Sequence, residues 1–236
     1  MSERKSSRRK KFDQPTNTNE NSSNLAQVAP KPIDEKRTAY SAESTSISWD
    51  VIHAKRKVTQ TLKSDTITAY ELVQDDPEGA IKTLKEFSEE YNDVHFFNGL
   101  LLACYAIEEE KEKLIQLGEE LFKKFPDYVF GKLGHIESLL AKGEIDSVED
   151  FLGEKKTYQE LFPGRAAFHI AEILQYHFTM GRYFALRADV KTAETYLEKI
   201  KDIDEDNMFL KKLRKFIDKN SGLKFYQRVI KKFKSS

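Results

Sequence analysis

The chain repeats itself at an interval of 34 residues. YNDVHF at 91–96 superposes on FPDYVF at 125–130, and the same offset aligns Ala80 with Leu114 and Val148, Leu84 with Gly118 and Leu152, and Tyr105 with Leu139. A period of this size limits the fold, because one unit has too little apolar surface to close a core and must stack on its neighbours. Within the period, apolar residues recur at three- and four-residue spacing. Leu114, Leu117 and Leu121 with Phe122, and Phe209, Leu213 and Phe216 with Ile217, each fall on one helical face. No stretch shows sustained two-residue alternation bounded by turns, so strands are not expected. No glycine precedes Gly79, and beyond residue 45 the only prolines are Pro77, Pro126 and Pro163, each where a helix should begin or end. The reading is all-α from about Ser46 onward.

LLAKGEIDSVEDFL at 139–152 has a helix end, a Gly-acidic turn and a second helix opening. MGRYFALRADVKTAETYLEKIKDIDEDN at 180–207 sets Gly181 and Phe184 in a first helix and Ala193 in a second. In these features the chain resembles the tetratricopeptide repeat family, whose unit is an antiparallel helix pair of that length. The resemblance implies a right-handed α-solenoid of about four helix pairs. They fall at about 61–94, 95–128, 129–162 and 174–207, with capping helices in 208–236. The match has departures. Ser64, Asn98, Lys132 and His177 stand at the family's tryptophan position, and Leu102 stands at a small-residue position. Val148 and Ala193 are 45 residues apart, which inserts about 11 residues around LFPGRAAFHIA and suggests a longer helix from Arg165 to Leu186.

The 236 residues carry 39 basic and 39 acidic side chains, but the balance conceals segregation. Residues 1–11 have a net charge of +5 from Arg4, Lys5, Arg8, Arg9, Lys10 and Lys11 against Glu3. Residues 211–236 have ten basic residues against Asp218, so the remainder is strongly acidic. Residues 1–45, with Pro15, Pro30, Pro32 and many Asn, Ser and Thr, read as a disordered basic and polar tail. The end reads as two helices, 208–220 and 223–234. The second sets Leu223, Tyr226, Ile230 and Phe233 opposite Lys224, Arg228, Lys231 and Lys232. The segment around Trp49–Leu62 is a candidate front cap. The longest apolar run, Gly99–Ile107, is too short to span a bilayer, and no apolar stretch follows the charged start. A soluble cytoplasmic protein is expected, nuclear if the source is eukaryotic.

Catalytic chemistry finds little support. The single cysteine, Cys104, sits in an apolar run where a thiol is inert. No strand–turn–helix serine context and no Gly-rich phosphate loop is present. His169, Glu172 and His177 invite a metal, with His135 and Glu137 one repeat earlier, but their order and number do not complete a ligand set. No cofactor and no enzymatic activity are expected. The expected site is the inner groove. In such repeats the first helix of each pair lines it, which implies Phe96, Phe130, Leu133, Glu137, Gln175, Phe178 and Arg182 as contacts for a protein or peptide partner. The alternative is a nucleic acid or anionic surface bound by the basic ends.

Overall fold

The computed structural model describes residues 41–42, 45–49, 51–54, 56–155 and 157–234. Among these the protein is helical, with ten helices and three short strands. Four antiparallel hairpins follow one another: α1 (Gln60–Asp75) with α2 (Pro77–Glu90), α3 (His95–Ile107) with α4 (Lys111–Lys124), α5 (Val129–Lys142) with α6 (Ile145–Leu152), and α8 (Ile170–Leu186) with α9 (Val190–Ile203). The second helices of the first three hairpins start at 77, 111 and 145, the interval read in the sequence.

Local chemistry sets these boundaries. Asp76 caps α2 by accepting from the Gly79 amide at 3.1 Å, ahead of Pro77 in the first turn. Asp189 caps α9 through the Thr192 amide at 3.1 Å. The turn inside each of the last three hairpins needs one left-handed residue. Gly143 fills it with φ +82°, whereas Glu109 (φ +56°) and Ala188 (φ +62°) fill the equivalent places at a conformational cost.

The hairpins stack through small residues and buried apolar ones. Ala80, Leu101, Tyr105, Leu114, Leu121 and Ala193 are all buried, and Phe122 is half-buried, stacked on His135 at 4.4 Å. Helices α4 and α5 approach through Gly118 and Gly134, so closely that a Cβ on Gly118 would overlap the Gly134 carbonyl oxygen. The first helices of the hairpins pack in succession, α1 on α3, α3 on α5, α5 on α8, and α8 on α10 (Met208–Lys234).

Three expectations change. The end of the chain is one helix, α10, running through Gly222, since a single glycine is tolerated inside a helix at a cost of about 1 kcal/mol. The helix expected to begin at Arg165 begins at Ile170. The inserted residues instead form α7 (Tyr158–Leu161), a turn at Gly164 (φ +83°) and strand β3 (Ala167–His169). Strand β3 pairs in parallel with β2 (Thr45–Ser48), which also pairs antiparallel with β1 (Ser41–Ala42). So β1 lies at the end of the segment expected to be disordered; residues 1–40, with Arg4, Lys5, Arg8, Arg9, Lys10 and Lys11, lie outside the described residues. The side chains of 223–234 also lie outside them.

The start of α10 packs back on α1. Asn207 Nδ2 donates to the Tyr70 hydroxyl at 2.8 Å, and the Met208 amide donates to Gln74 Oε1 at 2.9 Å, joining the start of α10 to α1.

Urea denaturation tests the turn and contact geometry. Gly118→Ala is expected to lower stability by about 1–3 kcal/mol through overpacking against backbone. Ala188→Gly, which relieves the left-handed conformation, is expected to raise it by about 0.5–1 kcal/mol.

Candidate functional site

The seven residues expected to line an open groove are buried. Phe96, Phe130, Leu133, Glu137, Gln175, Phe178 and Arg182 each expose less than a tenth of their surface. The reason is visible in their helices. Twelve of the 13 residues of α3 and 15 of the 17 of α8 are buried, so both helices are covered on every side. Among the described residues the one large hydrophobic side chain classed as exposed is Leu72, on α1.

Two different coverings account for this. At one end Phe96 meets His169 edge-on at 4.7 Å, and Trp49 lies against His169 at 5.5 Å and Tyr70 at 4.8 Å. Phe130 packs on His95 at 5.5 Å and on Phe96 at 6.0 Å. At the other end α10 covers α8. Phe209 stacks on Phe178 at 4.9 Å, Leu213 fills the space over Gly181, and Arg182 lies over the Phe216 ring at 5.0 Å.

Glu137 and Arg182, expected among the partner contacts, pair with each other. Arg182 pairs with Glu137 across 45 residues of sequence, and Thr179 Oγ1 donates to the second Glu137 oxygen at 2.7 Å. A buried pair of this kind satisfies its own charges, and removing one partner strands the other.

The histidines also have structural employment. His169 Nδ1 accepts from the Ala171 amide at 3.0 Å, and Glu172 accepts from the His169 amide at 3.0 Å, a reciprocal cap on α8. Arg165 donates to Glu172 at 2.8 Å and lies over Phe168 at 4.0 Å. His177 is packed between Tyr176 and Tyr196, and burial pushes its pKa down to about 3. His95, among Phe125, Tyr128 and Phe130, is pushed to about 3 by burial and then by the positive groups near it. Burial pushes the Cys104 thiol up to about 12, where it stays protonated. Among the described residues no three His, Cys, Asp or Glu side chains converge to hold a metal ion.

A cleft opens beside α10. It has a volume of about 330 Å³ and lies between the end of α3 and the turn after it (residues 106–109), α8 (Phe178, Arg182) and α10 (Lys212, Lys215, Phe216, Lys219). Its lining mixes the apolar Ala106, Ile107, Phe178 and Phe216 with charged side chains. Ion pairs span it, Lys212 to Glu108 at 3.2 Å and Lys219 to Glu109 at 3.0 Å, while Lys215 is exposed on the rim. Only Phe178 and Arg182 of the seven expected residues reach this cleft. The α10 lysines that line it were not among the candidates because their helix was read as a cap.

Comparison with protein-family models, with curated proteins and with solved structures finds no match. Among the described residues no helix is long and apolar enough to cross a membrane.

Two measurements test these assignments. Arg182→Met is expected to cost about 3–5 kcal/mol by leaving Glu137 buried and unpaired, and adding Glu137→Leu is expected to recover most of that loss in chemical denaturation. The buried histidines set a pH window. In the fold they stay neutral down to about pH 3, while in the unfolded chain they protonate near 6.5. The unfolded state therefore binds more protons below 6.5, and stability falls as pH drops from 7 to 5, by at most about 1.4 kcal/mol per pH unit for each histidine. A His177→Gln chain should show a shallower slope over that window than the native chain; an unchanged slope removes His177 from the account.

Proposed function

We propose that the protein is a non-catalytic interaction module, a tetratricopeptide-like right-handed solenoid that binds a protein partner at the cleft between α3, α8 and α10. The observation that carries this reading is the cleft itself. It brings the apolar side chains of Ala106, Ile107, Phe178 and Phe216, which give affinity, together with six charged ones, which give orientation. The recurrence of helix starts at 77, 111 and 145 supports the repeat part of the reading. The scaffold or adaptor role follows from the same features: the titratable groups that burial perturbs most are locked in packing, and the open surface is a contact surface.

A second reading is a polyanion bound along α10, favoured by one feature. A single uninterrupted helix carries all ten basic residues of the chain's end. It predicts affinity that falls steeply with salt.

The variants that test the cleft are at the exposed Lys215 and the half-buried Phe216. Affinity purification with the native chain should recover a partner whose binding drops by about tenfold or more in Lys215→Glu, as expected for a rim charge facing a complementary surface. Equal recovery by the native chain, Lys215→Glu and Phe216→Ala, with helical content unchanged, contradicts the assignment.

A further inference from the structure

We infer that the stretch from β2 to the start of α1 is a displaceable occupant of a peptide-docking groove, which an extended partner segment with an aromatic residue and an arginine seven positions later can fill. This groove shares no residue with the α10 cleft, so the two readings stand or fall separately.

The stretch is held as a bound peptide is held. Its backbone joins β3 in parallel, with Ser46, Ile47 and Ser48 opposite Ala167, Phe168 and His169. Strand addition of this kind takes affinity from the main chain and selectivity from alternate side chains. Ile47 and Trp49, two residues apart, share one face. Ile47 is buried, and Trp49 enters the angle between Tyr70 and His169. Ile52, Ala54 and Val58 continue against the core without helix or strand. The far end has its own subsite, where Arg56 pairs with Asp93 at 2.5 Å and lies over the Tyr91 ring at 5.3 Å.

The fit is incomplete. Trp49 Nε1 and His53 Nε2 are buried and have no hydrogen-bond partner among the described residues. A segment that satisfies those atoms binds better than the chain's own. The stretch also buries few side chains compared with the helices, so local opening there costs less than global unfolding. The walls of the groove, α1, α3 and the start of α8, are held by their own stacking. Opening therefore uncovers Tyr70 and the His169 ring against Phe96, one of the residues that the sequence assigned to partner binding.

The test uses the full chain and a fluorescein-labelled synthetic peptide with the sequence of residues 41–58. In the native chain the tethered segment competes at an effective concentration in the millimolar range, so the peptide should bind weakly. In Trp49→Ala the tethered segment is loosened, and binding by fluorescence anisotropy should tighten by about tenfold or more. Arg56→Ala, which removes the part-exposed pair with Asp93 and the contact with the Tyr91 ring, should give a smaller gain and serves if Trp49→Ala loses its helical signal. A peptide with its Trp and Arg replaced by alanine should bind none of the chains. Trp49, the one tryptophan of the chain, supplies a second readout. Displacement by a peptide with Phe in place of Trp should move its emission to the red. Equal affinity for native and variant chains, or no binding to any folded variant, overturns the inference. Dimerisation of the native chain that Trp49→Ala abolishes also overturns it, by giving the groove to a second copy.

Discussion

Helices α3 and α8 are buried around nearly their whole circumference, and everything else in the structure follows from keeping water off all sides of them. A helix of this kind cannot line an open channel. Exposing one Phe or Leu side chain costs about 1.5–3 kcal/mol, and α3 and α8 together would expose several. The outer helices α4 and α9 cover one side of each hairpin. The other side needs a cover that the repeat does not supply, and the chain provides it from its two non-repeating parts. The β2 stretch lies over the Phe96 end, and α10 lies over the Phe178 end.

These two covers are tied to the hairpins by polar contacts that reach far along the sequence. The inserted residues between the third and fourth hairpins form β3, the strand on which β2 docks. The start of α10 bonds to α1 through Asn207 and Tyr70, and its lysines reach the turn after α3. Glu109 sits in that turn with a left-handed backbone where glycine is easier, and its carboxylate receives Lys219. Exposed pairs of this type add little energy. The anchoring of α10 comes from Phe209, Leu213 and Ile217, which are fully buried. A cleft lies between these anchors and the end of α3.

The hairpins were legible because their signals are local. Asp76–Pro77, Gly143 and the matching turns at 91–96 and 125–130 state where helices start and stop, and the 34-residue offset follows from them. The groove residues were not legible for a physical reason. Periodicity tells which face of a helix is apolar, not what lies on it, so Phe96 and Phe130 read equally well as surface or as core. The Glu137–Arg182 pair joins positions 45 residues apart and leaves no trace in either helix alone. Strand β3 has three residues, too few to show alternation, and its partner lies more than a hundred residues earlier. The run Gly99–Ile107 did hold a clue: an apolar stretch of that length wraps the full helix and already excludes an open inner face there.

Hydroxyl-radical footprinting of the full chain tests the covered inner face most directly. With both covers in place, Phe96, Phe130 and Phe178 should be oxidised far more slowly than the half-buried Phe122 and Phe151. Oxidation of those three at rates equal to Phe122 and Phe151 would mean that the inner helices face water, and would contradict the account.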